Sequence, residues 1–365
     1  MSENSVIMKG NEALAEAALR AGCRFFSGYP ITPQTEILEY MSWRMPEVGG
    51  DCVQTEDELA GVNMILGASA AGGRVLTTSS GPGFSLKQEG ISYLVAADLP
   101  AVIVDVARYG NGLGDIFQSQ SDYSLVTKGN GHGDTMLIVL MPNSVQETVD
   151  FTTLAFDLAE KYLHPVMILS DAAIGQMMEG VTLPEMKEHD IDTYDWALSG
   201  HKQGAPHKRV TNLCYCMDSG FTGYENFLQE KYARIIENEQ RWENIQVSDA
   251  ELVIVAYGIS SRISKEAVKM ARQKGIKLGL IRPQTAVPFP VKAFKEVSPA
   301  CKGFLIVEMS ITGQIKDDVA LASKCELPIY GYLSSLIVPS SDKIVSLAED
   351  ILAGKVTPLM PGKEG

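Results

Sequence analysis

Three side chains near the start of the chain have types and settings suited to chemistry: Thr32, Glu58 and Arg108. Thr32 lies in Phe26-Ser-Gly-Tyr-Pro-Ile-Thr-Pro-Gln-Thr-Glu36, where it reads as a helix N-cap with Pro33 at the first helical position. Ile37, Leu38 and Met41 supply the apolar stripe of that helix. Glu58 lies in Gln54-Thr-Glu-Asp-Glu-Leu-Ala-Gly61, with capping-box spacing to Thr55 ahead of an apolar helix over 59–71. A helix N-terminus presents free N–H groups and a partial positive charge, so two of them could converge on an anionic ligand. Arg108 follows the β-branched run from Ala101 to Val106, and the carboxyl end of a buried parallel strand is where α/β proteins bind ligands. Each also has a plain reading: Thr32 as a cap, Glu58 as the partner of Thr55, and Arg108 as a surface arginine closing a strand.

Other constellations fail on spacing. In Arg108-Tyr-Gly-Asn-Gly-Leu-Gly-Asp115 the glycines fall at 110, 112 and 114, whereas a dinucleotide fingerprint needs its third at 115. There is no Walker Gly-Lys-Ser/Thr sequence and no Gly-x-Ser-x-Gly elbow. The five histidines lack His-Glu-x-x-His spacing, and His132, in the glycine-rich loop Lys128 to Asp134, reads as a hydrogen-bonded loop residue before a catalytic one. Six cysteines are scattered at 23, 52, 214, 216, 301 and 325, and Cys214-Tyr-Cys216 lacks the two-residue gap of zinc or iron–sulfur ligands. Reduced thiols and no metal site are expected.

The elements that must position these residues alternate strand and helix. Met1 to Lys9 reads as a frayed lead, Asn11 as the cap of a helix through Arg20, and Arg24 to Ser27 as a strand. A helix from Pro33 to about Arg44 ends at Pro46, and a strand follows over Asp51 to Gln54. Arg74 to Ser79 is a strand, Gly81-Pro82-Gly83 a loop, and a helix spans Gln88 to Ala97. Strands over Leu137 to Leu140 and Val166 to Leu169 flank a helix over Val145 to Tyr162. This rhythm means a parallel sheet covered on both faces. Between about Met177 and Asn244 it breaks, apart from a charged helix over Tyr224 to Trp242. It returns with strands over Leu252 to Tyr257, Lys277 to Ile281 and Phe304 to Glu308, and helices over Ser264 to Lys274 and Lys316 to Ala322. The tail after Leu352 reads as loosely held.

The chain has 365 residues, about right for two domains, with 45% hydrophobic and 21% charged residues, as in ordinary globular proteins. A net charge of −14 without clustered Lys and Arg argues against nucleic acid or an anionic membrane surface as partner. No apolar run approaches the roughly 20 residues of a membrane-spanning helix, and the first residues lack the layout of a signal peptide. A cytoplasmic location is expected.

Four motifs in order carry a resemblance: Gly28-Tyr-Pro-Ile-Thr-Pro33, Glu58 before a Gly/Ala-rich helix to Gly72, Thr77-Thr-Ser-Ser-Gly-Pro-Gly83, and the Arg108 loop. Together they resemble the alpha subunit of 2-oxoacid:ferredoxin oxidoreductases, over nearly the whole chain. The resemblance implies an α/β fold: a pyrimidine-type thiamin diphosphate-binding domain with a parallel sheet over 1–200, a connecting stretch over 201–248, a transketolase C-terminal-like α/β domain over 249–350 and a tail over 351–365. It implies that Glu58 hydrogen-bonds the aminopyrimidine ring of thiamin diphosphate, with Glu56 and Asp57 as fallbacks, a task that suits a partly buried carboxyl. Thr32 would touch the substrate carboxylate or carbonyl, and Arg108 would hold the carboxylate with its fork. Tyr29, Pro30, Ile31, Ser80, Gly81 and Gly83 would line the cofactor site.

The chain has no Gly-Asp-Gly segment for Mg²⁺ and diphosphate and no paired Cys-x-x-Cys runs. A beta subunit is therefore expected to bring Mg²⁺, and gamma and ferredoxin-like delta subunits to accompany it, with iron–sulfur clusters on partners and ferredoxin as acceptor. The expected reaction is CoA-dependent oxidative decarboxylation of a 2-oxoacid to acyl-CoA, CO2 and reduced ferredoxin. Within the family the pattern looks nearer to the branched-chain, 3-methyl-2-oxobutanoate branch than to the 2-oxoglutarate branch, with pyruvate also open. Around the candidate site Gly81-Pro82-Gly83-Phe84, Gly112-Leu113-Gly114 and the nearby Phe117 include no basic residue, while Lys87 and Lys128 remain open as cations for a distal carboxylate. A nicotinamide-dependent dehydrogenase and a non-catalytic scaffold subunit are the rival readings.

Overall fold

Ala101–Ala107 is an unbroken apolar run but for one aspartate, every residue of it is buried, and it forms the central strand β5 of the larger sheet. The computed structural model describes residues 5–188, 194, 196–198, 200 and 220–363. Around β5 lie β2 (Phe25–Gly28), β3 (Asp51–Gln54), β4 (Val75–Ser79), β6 (Ile138–Leu140), β7 (Pro165–Asp171) and β12 (Thr285–Val287), in the order β12-β6-β7-β5-β4-β2-β3. All pair parallel except β12, which runs antiparallel to β6. Parallel pairs need crossovers, and the helices that make them cover both faces. Val62, Ile65, Phe84 and Ile91 belong to the core on one face, and Leu14, Ile37, Met41 and Phe156 to the core on the other.

A second sheet orders β14 (Ile329–Leu333), β13 (Phe304–Glu308), β10 (Leu252–Val255), β11 (Leu278–Pro283) and β9 (Trp242–Ile245), again parallel except for the edge strand β9. The two sheets are locked together. β12, which lies beyond residue 249, completes the first sheet. Arg282 at the end of β11 is fully buried and grips Glu147 through two 2.6 Å bonds. Gln120 donates to the carbonyl of Tyr257 and accepts from Ser260 and the Met309 amide.

Several expectations are corrected. The lead is no frayed end: β1 (Ser5–Lys9) pairs antiparallel with β8 (Met178–Thr182). The helix after the Tyr-Pro-Ile-Thr-Pro run, α2 (Thr35–Glu47), starts two residues later than Pro33, with Gln34 at its N-cap, so Thr32 caps nothing; the helix also runs through Pro46 in its last turn. In α3 (Glu58–Ala70) the cap is Asp57, which accepts from the Ala60 amide at 2.7 Å, while the Thr55 hydroxyl donates to the Asp57 carbonyl. Asp57 is a stronger acceptor for the free amides, and this displaces the capping box. α4 (Gly81–Ala96) takes Gly81-Pro82-Gly83 into its first turn, where Pro is pre-organised for helix, instead of leaving it as a loop. Asn11 does not cap α1 (Gly10–Arg20) but donates to the Pro33 carbonyl and to Glu36. The tail is held: the Leu359 and Met360 amides bond the Ile329 carbonyl, and the Lys363 amide bonds that of Cys325. The charged helix spans Gly220–Asn238. Cys214 and Cys216 lie outside the described residues.

Candidate functional site

In the large sheet β2 has β3 on one side and β4 on the other, so the chain reverses its direction of travel across the sheet between them. Such a switch opens a crevice at the carboxyl ends of the strands. The segments leaving β2, β4 and β5 there carry residues 29–34, Ser80-Gly81 and Arg108, and α3 brings Glu58 after β3.

The 29–34 loop is shaped by Gln34, a fully buried side chain that donates to the Tyr29 carbonyl at 2.9 Å and accepts from the Thr78 hydroxyl at 2.5 Å. Tyr29 and Thr32 are exposed, and Pro30 and Ile31 half-buried. Arg108 crosses to this loop: Nη1 donates to the Thr32 carbonyl at 2.8 Å and Nη2 to that of Leu113 at 2.7 Å. Its Nε is buried without a partner. Two of five guanidinium N–H bonds are thus used to orient the fork, and three remain for a ligand.

Glu58 is 6% exposed, at the first position of α3. A Cβ added to Gly83 would fall 2.2 Å from Glu58 Oε1 and 2.5 Å from Ser79 Oγ, so only glycine leaves the carboxylate its place. Ser79 Oγ is itself buried and unpartnered. Gly81, at φ +46°, lies against the Arg108 side chain. The first turn of α4 therefore touches both clusters, Arg108–Thr32 through Gly81 and Glu58–Ser79 through Gly83. Ser80 faces away, its hydroxyl donating to the Val106 carbonyl at 2.7 Å.

Sequence reasoning missed the buried polar groups beneath this crevice. Asp105, inside β5, faces Asp122 and the Gly81 amide, yet neither of its carboxyl oxygens reaches hydrogen-bonding geometry. Burial first, then the neighbouring Asp122 carboxylate, push Asp105 well above the usual carboxylate range. Asp122 accepts from the Arg108 amide and is pushed up to about 6 by burial, against the pull of the Arg108 and Gly81 amides. An aspartate in an otherwise apolar strand was the available signal.

Lys87 is fully buried and donates to the Glu58 carbonyl at 3.2 Å and the Thr77 hydroxyl at 3.0 Å. Lys128 pairs with Asp318 at 2.5 Å. Phe84 belongs to the core, whereas Leu113 and Phe117 are exposed on the 109–117 loop. His132 sits elsewhere, 3.4 Å from Ser92 Oγ. Among the described residues no three His, Cys, Asp or Glu side chains converge as a metal would need, and no helix is long and apolar enough to cross a membrane.

Residues 16–239 match the family described as pyruvate flavodoxin/ferredoxin oxidoreductase, thiamine diphosphate-binding, and residues 250–336 match pyruvate:ferredoxin oxidoreductase core domain II. The chain is 51% identical to the ketoisovalerate oxidoreductase subunit VorB of Methanothermobacter marburgensis, over 87% of this chain and 90% of that one. It is 37% identical to the 2-oxoglutarate synthase subunit KorA of Methanocaldococcus jannaschii, over 87% and 91%. Among solved structures it resembles the 2-oxoglutarate:ferredoxin oxidoreductase from Magnetococcus marinus, with 2-oxoglutarate, coenzyme A and succinyl-CoA bound. The TM-score is 0.85 at 27% identity, covering 95% of this chain and 65% of that longer one. A split-gene transketolase, 14% identical at TM-score 0.58, shares the fold. The two consecutive family matches and half-identity to VorB over most of both chains lead to one assignment: the chain belongs to the 2-oxoacid:ferredoxin oxidoreductase family.

Proposed function

We propose that this chain is the alpha subunit of a multi-subunit, CoA-dependent 2-oxoacid:ferredoxin oxidoreductase that acts on 3-methyl-2-oxobutanoate. The observation that carries the proposal is the first turn of α4, which brings the Glu58 carboxylate and the Arg108–Thr32 pair to one crevice. Thiamin diphosphate, when bound, supplies the electron sink for decarboxylation. The residues present fit its aminopyrimidine ring: a buried carboxylate at Glu58 and an unpartnered hydroxyl at Ser79 can meet ring nitrogens and the amino group. Tyr29, Pro30, Ile31, Gly81 and Gly83 would line that ring's surroundings, within a pyrimidine-type domain over 1–200 followed by a transketolase C-terminal-like domain over 249–350.

Glu58 holds and returns a proton at its carboxyl oxygen, and burial against Gly83 keeps water from competing. Arg108 binds the substrate carboxylate with its free N–H bonds, while Thr32 offers an exposed hydroxyl beside it. A beta subunit would bring Mg²⁺ and the diphosphate ligands, and gamma and ferredoxin-like delta subunits would carry electrons through iron–sulfur clusters to ferredoxin. A cytoplasmic setting fits the four described cysteines, all unpaired.

Substrate choice rests on charge. A 2-oxoglutarate enzyme needs a second cation for the distal carboxylate, since an unpaired buried charge costs several kcal/mol. Lys87 is spent beneath Glu58 and Lys128 on Asp318. The identity to a ketoisovalerate oxidoreductase subunit agrees. The test is kcat/KM of the assembled complex for 3-methyl-2-oxobutanoate, pyruvate and 2-oxoglutarate. The branched substrate should lead, with pyruvate trailing by about 10–200-fold for each of the two methyl contacts it lacks, each worth about 1–3 kcal/mol. A preference for 2-oxoglutarate would overturn the reading.

A further inference from the structure

Lys87 is the buried charge that the crevice chemistry has not absorbed. Its ammonium lies inside the packed contact between α3 and α4, wholly out of water. Gly83 and Lys87 are four residues apart, so they share one face of α4, and Gly90 continues it. That face meets Glu58, Gly61 and Val62 of α3: a Cβ on Gly61 would stand 3.1 Å from Lys87 Nζ, and one on Gly90 would stand 2.4 Å from Val62. From the strand side come only hydroxyls. Thr77 accepts from Lys87 and donates to the Ser27 carbonyl at 2.6 Å, and Ser27 donates to the Gly61 carbonyl at 2.7 Å. The charged groups set against Lys87 are Glu58 and Asp57, both at the start of α3. Asp57 is engaged as the helix cap.

Burying an ammonium is unfavourable unless something compensates, and a methionine or leucine would fill the same space at lower cost. Here burial pulls the ammonium down to about 8 and the Glu58 carboxylate opposes that fall. The ammonium binds the Glu58 backbone on one face of α4 while Gly83, one turn earlier, receives the Glu58 carboxylate.

We propose that Lys87 is a positioning residue for Glu58: its ammonium, bonded to the Glu58 carbonyl, pins the first turn of α3 and so holds the carboxylate in its place against Gly83. This rests on the proposed role of Glu58. Lys87 touches neither substrate nor cofactor and acts through Glu58 alone.

The test uses the assembled complex with Lys87→Met, Lys87→Gln and Glu58→Gln. Without the pin the Glu58 carboxylate loses its place, so kcat should fall by about tenfold or more in both Lys87 variants. KM for the 2-oxoacid should stay within about twofold, since Arg108 and Thr32 are untouched. A second readout needs no activity: thermal unfolding of the cofactor-free complex, comparing Lys87→Met with Glu58 intact and with Glu58→Gln. A charge pairing makes the loss in Tm differ between the two backgrounds, whereas a purely structural lysine gives equal losses. If Lys87→Met does not assemble, Lys87→Gln, which keeps a hydrogen-bond donor, is read in the same two ways. An unchanged kcat together with equal Tm losses overturns the proposal. A Glu58→Gln complex with normal turnover overturns the underlying reading instead, so the two failures are distinguishable.

Discussion

At the scale of single residues, the crevice separates two tasks. Glu58 is at the first position of α3 but is not its cap, because Asp57 holds the Ala60 amide. Glu58→Gln should therefore leave the fold in place, forfeiting at most the roughly 0.3–1 kcal/mol that an acid gains near a helix N-terminus. Decarboxylation should nearly vanish in the same variant, and so should hydrogen exchange at the thiamin reacting carbon. Near-normal exchange would move the role to Glu56. Arg108 is fixed by two backbone carbonyls, Thr32 and Leu113, on separate loops. A lysine keeps the charge but cannot span both acceptors and a carboxylate in one plane. Arg108→Lys should raise KM for the 2-oxoacid by about tenfold or more, with kcat less affected, and an unchanged KM would remove Arg108 from substrate binding. That these two residues lie at the carboxyl end of the sheet was legible in the sequence, because each follows a recognisable strand. Lys87, Asp105 and Asp122 were not, since what makes them matter is burial, and burial is set by elements far away in the chain.

At the scale of elements, legibility follows how local the cause is. The helix over Val145–Tyr162 and the strand over Phe304–Glu308 match their expected bounds, because apolar periodicity and β-branched runs define them without help. β1 and β8 were invisible: each is short, half exposed, and stable only through the other, more than 160 residues away. β12 was missed for the same reason, as it pairs with β6 from the far side of the chain. The start of α4 was misread because Gly-Pro-Gly usually punctuates, and here the glycines serve contacts to Arg108 and Glu58. Helix caps were the subtlest error, since Thr55 and Asp57 both offer an acceptor before α3. Asp57→Ala should lower stability by about 1 kcal/mol, as a lost N-cap does, and should shift the denaturation midpoint without changing its slope. Thr55→Ala should cost less, and the reverse ranking would restore the capping box.

At the scale of the whole molecule, two sheets that sequence divides into successive domains share strand β12, the Arg282–Glu147 pair and a buried polar seam. Gln120 and Tyr257 form that seam with Glu308, whose carboxyl accepts from the Ile315 amide at 3.1 Å and faces the Tyr257 hydroxyl at 3.4 Å. No water reaches Glu308, and burial pushes it up from 4.5 to about 7. Its folded-state pKa lies above its unfolded one, so the folded protein holds this proton more tightly. The stabilisation is fully present below about pH 4.5 and is lost as pH rises through 7. A gap of this size corresponds to on the order of 3 kcal/mol. Asp122 and Asp171, both pushed up to about 6 by burial, act with the same sign. Carboxylates held down by cations, such as Glu239 beside Lys161 and Arg241, act with the opposite sign, but only at pH below the ordinary glutamate range. The protein should therefore lose stability between pH 5.5 and 8. Glu308→Gln replaces the carboxyl with a group that stays neutral, whose oxygen can still accept from Ile315. Its Tm should fall less than the wild type's across that window and should exceed the wild type's at pH 8. Parallel Tm–pH curves for the two proteins would mean that Glu308 is not charged within the seam over this range, and that the pH dependence belongs to the aspartates alone.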